Sequence, residues 1–478
     1  MPKRVAVIDL GSNSARMAIF ERTSRLGFYI LREYKIKVRL GEGAYENGGV
    51  LQDAAMDKVF YAFKEFSYFI KLYKVNKVLC AGTSALRDAP NSNIFINRIK
   101  KELGLGLKVI DGNKEAYYGG IAALNLLSPL DEATTIDIGG GSTELAKIKN
   151  GKIENTISLN IGTVRIKELF FDKKNTAGAS KFIDEVLQNL PKEFASNNIV
   201  AIGGSLRAIS NAIMQIQKHP LKLVHNFSYP YAEHSAFIEK LANSNIFDMK
   251  DFPIKKDRYD TIREGAIIFS KLSKKLGAKT IYTSGAGVRE GIFLTNILRP
   301  GIKFPKNFNP SLRSLQDRFS KRGNENTYRY AKRLFDILKP IHKVDDRYLP
   351  DLLCATKLYN IGRSIGFYSE HAHSSYLVQN GLNYGYTHEQ KALIALIIEY
   401  QNKQVTDLGE FANLLPDVSD VWWLSFLLGL AKSLSVSDEV GLEFINHTLH
   451  IKGIKNFLMV KDNIKKLFKP AIFAITFD

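Results

Sequence analysis

Short apolar runs alternate with amphipathic stretches over the first 300 residues of the chain. The runs predict buried strands at 5–8, 77–81, 108–110, 199–202 and 280–283. Apolar residues at helical spacing predict helices between them, at 53–73, 93–103, 116–127, 180–190, 206–216 and 260–276. Because strands alternate with helices, we expect two α/β domains, at 1–126 and 127–305.

The pattern changes beyond Pro300. Pro305 and Pro310 mark a linker, and only helix-like periodicity follows, at 326–338, 349–359, 388–400 and 422–434. We therefore predict an all-α third domain over residues 308–478.

One segment near the N-terminus recurs later in the chain. Residues 5–14 align with 133–142 at a constant offset of 128, so that Asp9 matches Asp137 and Ser14 matches Ser142. An apolar run resumes after each copy. Each copy therefore predicts two strands joined by a tight glycine turn.

Such a turn can bind phosphate. Glycines let the backbone N–H groups approach a phosphate closely, and an Asp at the end of the strand can hold Mg²⁺. The alternative is a turn that merely needs glycine for a positive φ. The repetition favours phosphate binding, because two such turns facing each other across a cleft could hold one phosphate chain from both sides.

Composition narrows the class of protein. The 478 residues are 45% hydrophobic and 24% charged, which excludes a disordered or collagen-like chain. The formal net charge is +19, of which +14 lies in residues 1–300, and no long Lys/Arg block occurs. This distribution predicts a polyanionic partner bound on a folded basic face rather than by a nucleic-acid-binding tail, so nucleic acid is not the expected partner.

The cysteines and the apolar segments indicate the cellular compartment of the protein. Cys80 and Cys354 lie far apart in the sequence, which favours a reducing environment and argues against a disulfide framework or a cysteine-ligated zinc site. No apolar stretch is long enough for a signal peptide or a membrane span. We therefore expect a soluble, cytoplasmic protein without a membrane partner.

Six segments together resemble the Ppx/GppA family, the exopolyphosphatases and guanosine pentaphosphate phosphohydrolases. They occur in the family's order, at Asp9–Ser14, Gly82–Arg87, Asp111–Ala116, Asp137–Glu144, Gly203–Ser205 and Ser284–Gly291. The resemblance implies two ribonuclease H-like domains of the actin and sugar-kinase superfamily around a cleft. It extends more loosely through the helical region, as in the family's longer members, whose all-α C-terminal domain is HD-like.

The resemblance also implies roles for individual residues. Glu115 would orient and deprotonate a water molecule, and Arg87 would neutralise a phosphate oxygen. Mg²⁺ would be held by Asp9, Asp137 and Glu144. The phosphate would be cradled by the turn residues Ser12, Asn13, Ser14, Gly139, Gly140, Gly141 and Ser142. The place where the superfamily binds the nucleotide corresponds to Gly203, Gly204, Ser205 and Arg207.

Simpler explanations exist for two of these residues. Glu115 could be a carboxylate favoured by the dipole at a helix N-terminus. Ser205 could be a plain helix N-cap.

Four of the nine histidines fall within 47 residues of the helical region, at His342, His371, His373 and His388. Their layout resembles an HD-type phosphohydrolase domain, whose His-Asp pair is replaced here by Tyr359-Asn360. Neither replacement is a good metal ligand, so we expect a degenerate HD motif and structural histidines. Such a domain could lengthen a polyanion channel or form a homodimer.

The sequence thus predicts an Mg²⁺-dependent phosphoanhydride hydrolase. It would release the terminal phosphate of inorganic polyphosphate, of guanosine pentaphosphate (pppGpp to ppGpp, in the stringent response), or of both. The alternatives are an ATP-dependent kinase of the same superfamily and a non-catalytic sensor that binds pppGpp or polyphosphate. Both substrates present the same terminal phosphate, so the sequence does not choose between them.

Overall fold

The chain forms two compact units, Met1–Asn309 and Pro310–Asp478. The computed structural model describes residues 3–299, 301–320, 325–454 and 456–477. Within those residues, no helix combines the length and the apolar character that crossing a membrane requires.

The first sheet of unit 1 has five strands in the order β3-β2-β1-β4-β5. The strands are β1 (Arg4–Leu10), β2 (Ser14–Arg22), β3 (Phe28–Lys37), β4 (Lys77–Gly82) and β5 (Leu107–Val109). The first three are antiparallel, whereas β4 and β5 continue parallel to β1. The helices of this half are α1 (Asp53–Leu72), α2 (Ser84–Arg87), α3 (Ser92–Leu103) and α4 (Gly112–Leu126).

The second sheet repeats this arrangement, with the order β10-β11-β9-β6-β7-β8. Its strands are β6 (Glu132–Ile138), β7 (Thr143–Lys149), β8 (Lys152–Leu159), β9 (Asn198–Ile202), β10 (Ser228–Pro230) and β11 (Thr280–Thr283). The antiparallel run β6, β7, β8 matches β1, β2, β3, and β9 lies parallel to β6 as β4 lies parallel to β1.

Helices pack on this second sheet and bury its apolar side chains. They are α5 (Thr163–Ile166), α6 (Thr176–Gln188), α7 (Gly204–Ile216), α8 (Tyr231–Ala242) and α9 (Ile262–Leu276), with a π-helical turn at Lys167–Phe171 after α5, and α4 also packs on β7 and β8. By contrast, α10 (Val288–Ile297) packs against α4 and against β1 of the first sheet. Ile136, Ile199 and Ile281 on three neighbouring strands are fully buried in one core with Ile209 and Phe269 of α7 and α9. The duplicated α/β arrangement confirms the predicted fold class, while the division at residue 126 stays a prediction.

Unit 2 is mainly helical. Its helices are α11 (Pro310–Phe319), α12 (Glu325–Ile337), α13 (Lys339–His342), α14 (Leu349–Leu358), α15 (Glu370–Gly381), α16 (His388–Glu399), α17 (Val418–Leu434) and α18 (Leu458–Lys465). It also contains a three-stranded sheet, with β12 (Gly441–Ile445), β13 (Thr448–Lys452) and β14 (Ala474–Phe477) in that order. The helical character was predicted, whereas this sheet is an addition that the periodicity did not reveal.

One helix begins earlier than its apolar pattern predicts, and this matters for the site. The pattern starts at Ala116, but α4 begins at Gly112 because the Asp111 side chain caps it by accepting a hydrogen bond from the Lys114 N–H at 2.7 Å. Glu115 consequently lies in the first turn of α4.

Candidate active site

Two glycine turns are formed in the same way by the two halves of unit 1. The first glycine turn (residues 11–13) joins β1 to β2, with the Gly11 N–H donating to Ser14 O at 3.1 Å. The second (residues 139–142) joins β6 to β7, with the Gly139 N–H donating to Ser142 O at 2.9 Å. The predicted hairpins are therefore confirmed.

The two glycine turns lie against each other. A Cβ atom on Gly140 would lie 2.8 Å from Ser12 Cβ and 3.4 Å from the Asn13 backbone nitrogen. Over the part of the chain that the structure describes, no protein acceptor takes a hydrogen bond from the backbone N–H groups of Ser12, Asn13, Gly140 or Gly141. Grouped, unpartnered N–H donors of this kind form an anion-binding concavity.

A cavity of 410 Å³, here called the cleft, brings most of the predicted site residues together. Its lining includes the predicted residues Asp9, Ser12, Asn13, Ser14, Glu115, Asp137, Gly139, Gly140, Ser142, Gly203, Gly204, Ser205 and Arg207. The remaining three predicted residues, Arg87, Gly141 and Glu144, are not part of the lining.

Arg87 and Glu144 contact side chains of the lining, and Gly141 belongs to the second glycine turn. Arg87 donates to Glu115 Oε2 at 3.1 Å and to Ser142 Oγ at 3.3 Å. Glu144 is 2% exposed and accepts a hydrogen bond from Ser158 Oγ at 2.9 Å. At Gly141, a Cβ atom would lie 2.1 Å from the Tyr45 hydroxyl oxygen and 2.6 Å from Ser84 Oγ, so a side chain there would have to displace these hydroxyl groups.

The carboxyl groups around the cleft repel one another. Burial and the charge of Glu144 raise the pKa of Glu115 well above its usual value, against the opposing effect of Arg87. Burial raises the pKa of Asp137 to about 6, with a further contribution from Asp9, and burial raises that of Glu144 to about 8. A bound cation would relieve this repulsion.

The carboxylates of the cleft could hold a divalent cation only together with water or substrate oxygens. In the described ranges, no three His, Cys, Asp or Glu side chains are placed to hold a metal ion by themselves. Mg²⁺ is commonly held by one or two carboxylates together with water and substrate phosphate oxygens. Asp9 and Asp137 are two of the carboxylates that line the cleft, and they lie at the ends of β1 and β6, just before the two glycine turns.

Several basic residues that line the cleft were not predicted to be site residues. Arg16, Lys35, Lys37 and Arg258 line it, and Arg16 faces Asp9 across the first hairpin. Burial lowers the pKa of Arg16 to about 10, and Arg207 adds to this. Burial also lowers the pKa of Lys35 to about 8, followed by the charge of Arg258.

A signal for some of these residues was present in the sequence. Arg16 lies at the repeat position equivalent to Glu144, and Lys35 and Lys37 are two residues apart on β3 and so point to the same face of the sheet. Arg289 and Glu290, which belong to the family-like segment Ser284–Gly291, also line the cleft.

The third glycine motif starts a helix at the cleft. Gly203 is the N-cap of α7, with φ of 96°, and a Cβ atom there would lie 2.8 Å from Asp137 Oδ1. Ser205 lies within α7, so the alternative that it is the helix N-cap is wrong. The Arg207 guanidinium donates to Gly285 O at 2.7 Å.

The four histidines considered in unit 2 lie on three different helices. The ring of His342 is buried, with Nδ1 accepting from the Val344 N–H at 2.9 Å and Nε2 lying 2.8 Å from Phe335 O. His371 and His373 lie in α15, and the buried His388 begins α16. The ring of His342 is therefore occupied by structural hydrogen bonds.

Comparison with known proteins gives two matches to family models. Residues 18–299 match the Ppx/GppA phosphatase family, and residues 311–455 match domain III of the Ppx/GppA phosphatases. A bifunctional 3-dehydroquinate synthase/phosphatase of Fusobacterium nucleatum subsp. nucleatum is 33% identical over 215 residues. That match spans 41% of this chain and 32% of the longer protein, so the chain spans about a third of the relative's length.

Solved structures show the same fold. A Ppx/GppA family member from Aquifex aeolicus is 27% identical, with a TM-score of 0.54, and the match covers 65% of this chain and 100% of that one. An exopolyphosphatase from Cytophaga hutchinsonii has 23% identity and a TM-score of 0.57, covering 63% and 100%. With the two family models together spanning most of its residues, the chain belongs to the Ppx/GppA phosphatase family.

Proposed function

We propose that the chain is a phosphoanhydride hydrolase that removes the terminal phosphate of inorganic polyphosphate, of pppGpp, or of both. The observation that carries the proposal is that the two glycine turns contact each other and that their N–H groups have no acceptor among the described residues. The Arg87–Glu115 ion pair, at 3.1 Å, lies next to these turns. The family membership and the exopolyphosphatase named among the similar folds agree with it.

The proposed reaction is an in-line attack by water. Glu115 accepts a proton from the water, the water oxygen bonds to the terminal phosphorus, and the bridging P–O bond breaks so that the shortened chain leaves with the bridging oxygen. The N–H groups of Ser12, Asn13, Gly140 and Gly141 hold the terminal phosphate oxygens.

Arg87 contributes in two ways under this proposal. Its Nη1 holds Glu115, and its Nη2 lies next to Ser142 Oγ, so the guanidinium can donate to a phosphate bound between them. Asp9 and Asp137, supported by Glu144, would hold Mg²⁺, which when bound would neutralise charge on the phosphate oxygens.

Glu115→Gln tests the proposal. With Mg²⁺ present, we expect kcat for phosphate release from long-chain polyphosphate or pppGpp to fall by about 10²- to 10⁴-fold, with little change in KM, because only proton transfer is removed. Glu102→Gln is the matched control, since Glu102 lies exposed on α3 and, within the described residues, forms an ion pair with Arg98 alone, at 3.3 Å.

Parallel assays of the wild-type protein with polyphosphate and with pppGpp separate the two substrates. The proposal is wrong if a folded wild-type protein releases phosphate from neither substrate. The role of Glu115 is wrong if its variant stays within about threefold of the control, far short of the loss expected for a missing general base.

A further inference from the structure

Unit 2 contains a cavity of 500 Å³, here called the unit 2 pocket. It is formed by the residues around the start of α14, by the start of α16 and by the segment that precedes α17. Its lining includes Arg347, Asp351, Glu389, Leu393, Leu414 and Leu415. Ligand sites in proteins commonly have volumes of about 300–1,000 Å³, so the pocket is large enough for a small molecule.

Asp351 is the buried charged residue of this pocket. It lies in the first turn of α14 and is 3% exposed. Within the described residues, its carboxylate accepts no hydrogen bond and forms no ion pair. Both carboxyl oxygens nevertheless retain some accessible surface, and since the residue lines the pocket, that surface faces the pocket.

The Asp351 carboxylate is therefore withdrawn from bulk water without a donor to replace the lost hydration. Burial raises its pKa to about 7. The N-terminus of α14 favours a negative charge at this position but supplies no hydrogen bond to it within the described residues. Such a group is costly unless a donor enters from the pocket.

Arg347 lines the pocket but is engaged elsewhere. Its Nη2 donates to the Tyr348 hydroxyl at 2.7 Å, and its Nε lies 3.8 Å from Asp345 Oδ2. The side chain is 70% exposed. Among the described residues, Arg347 is the only Lys or Arg of the lining, so the lining supplies Asp351 with no cationic partner.

Further carboxylates surround the pocket. Glu389 lines it and is exposed. Burial raises the pKa of Asp420, and the charge of Asp417 adds to this rise. Asp345 also adds to it, whereas Arg347 opposes it. These surroundings would repel a ligand that carries phosphate groups and attract a cation.

The cation that fits this lining is organic rather than metallic. In the part of the chain that the structure describes, no three His, Cys, Asp or Glu side chains are placed to hold a metal ion. Apolar side chains form another part of the lining, at Leu393, Leu414, Leu415 and Pro416. An alkyl chain can pack on such side chains, while an ammonium group at its end offers three N–H donors to a carboxylate.

We propose that the unit 2 pocket binds a small aliphatic amine in its ammonium form. The ammonium group donates to the Asp351 carboxylate, and the alkyl chain packs against the leucine side chains of the lining. Glu389 adds a weaker attraction, because water screens an exposed charge. The binding does not depend on the proposed hydrolase function, because the described residues that line the pocket belong to unit 2 and those that line the cleft belong to unit 1.

Isothermal titration calorimetry of the full chain with 1-aminobutane tests the proposal. We expect one bound amine per chain, and we expect 1-butanol, its neutral analogue, to bind at least about 30-fold more weakly because it leaves the buried charge unpaired. Asp351→Asn should weaken 1-aminobutane binding by about 30-fold or more for the same reason. The matched control is Asp336→Asn, because Asp336 lies exposed on α12 of the same unit and outside the lining. This control keeps the wild-type affinity.

A second variant covers the case in which Asp351→Asn does not fold. Glu389→Gln changes an exposed side chain, and we expect it to weaken 1-aminobutane binding by about two- to fivefold. In that case, wild-type affinity of Glu389→Gln would overturn the proposal.

Three other results would overturn it as well. The first is a wild-type protein that binds 1-aminobutane no more tightly than 1-butanol, and the second is a folded Asp351→Asn variant with the affinity of its control. The third is binding of GDP, whose guanine base also has donors for a carboxylate, that Asp351→Asn abolishes while 1-aminobutane does not bind. Phosphate release by the wild-type protein is measured separately, so failure of the hydrolase proposal would not be confused with failure of this one.

Discussion

Glu264 lies in the first turn of α9, and its side chain is 1% exposed. Among the residues that the structure describes, neither carboxyl oxygen accepts a hydrogen bond from another residue, and the Arg263 guanidinium lies 4.0 Å away. Burial raises the pKa of Glu264 from 4.5 to about 7. Because the folded state holds this proton more tightly than the unfolded chain does, the contribution of Glu264 to stability is lost as the pH rises from about 4.5 to about 7.

This sign leads to a prediction for Glu264→Gln, which cannot ionise. We expect the variant to be more stable than the wild-type protein at pH 8, by up to about 3 kcal/mol, with no gain at pH 4.5. Thermal unfolding of both proteins across this pH range measures the difference. A stability difference that does not change with pH would contradict the assignment.

The site residues that could be predicted from the sequence are those that occur at equivalent positions in both copies of the repeat. Asp9 and Asp137 share an offset of 128, and both line the cleft. The burial of Glu168 could not be predicted, because a single Glu among charged residues has no pattern and its Oε1 accepts a hydrogen bond from the Gly43 N–H in a distant segment. The spacing of Lys35 and Lys37 places them on one face of a strand, but the pairing of β3 with β2 is what brings that strand to the cleft.

At the scale of elements, the start of α7 shows how closely a turn and a carboxylate can be packed. Gly203 has φ of 96°, in the region that favours glycine, and its missing side chain leaves room for Asp137. Gly104, at the C-terminus of α3, also has positive φ, at 69°, but no atom would lie within 4 Å of an added Cβ.

These two glycines provide a matched pair of substitutions. We expect both Gly203→Ala and Gly104→Ala to lose about 1–2 kcal/mol through backbone strain. Only Gly203→Ala would also displace the Asp137 carboxylate, so we expect its kcat for phosphate release to fall by about 100-fold while Gly104→Ala retains wild-type turnover. Equal turnover in the two variants would show that the position of Asp137 tolerates the change.

Local signals decide which elements can be predicted. The long helices α1 and α17 follow their apolar spacing, and the strand pair β1–β2 follows its repeat. The strands β12 to β14 are four or five residues long and carry charged and polar side chains. Their pairing includes the parallel contact of β13 with β14, more than 20 residues apart, so no local pattern could reveal it.

At the scale of the whole molecule, the charge is unevenly shared. Residues 1–300 carry a net charge of +14, and the cleft within them is lined by Arg16, Lys35, Arg207 and Arg258 in addition to its carboxylates. A positive field of this kind attracts a long polyanion from a distance, and dissolved salt screens it.

The field leads to a prediction about chain length. When KCl is raised from 50 to 500 mM at constant Mg²⁺, we expect kcat/KM for long-chain polyphosphate to fall by about tenfold or more, and that for tripolyphosphate to fall less. Initial rates of phosphate release measure both. Equal salt dependence for the two substrates would mean that only charges next to the reacting phosphate matter.

The matching registers of the two hairpins affect the orientation in which a linear anion binds between them. At equivalent positions of the repeat, Asp9 is paired with Arg16, whereas Asp137 is paired with Glu144. Two identical hairpins would present the same surroundings to both ends of a linear anion, which itself has no polarity. The exchange of a cation for a carboxylate at one position removes that equivalence. The two ends of a bound chain of identical units therefore lie in different surroundings.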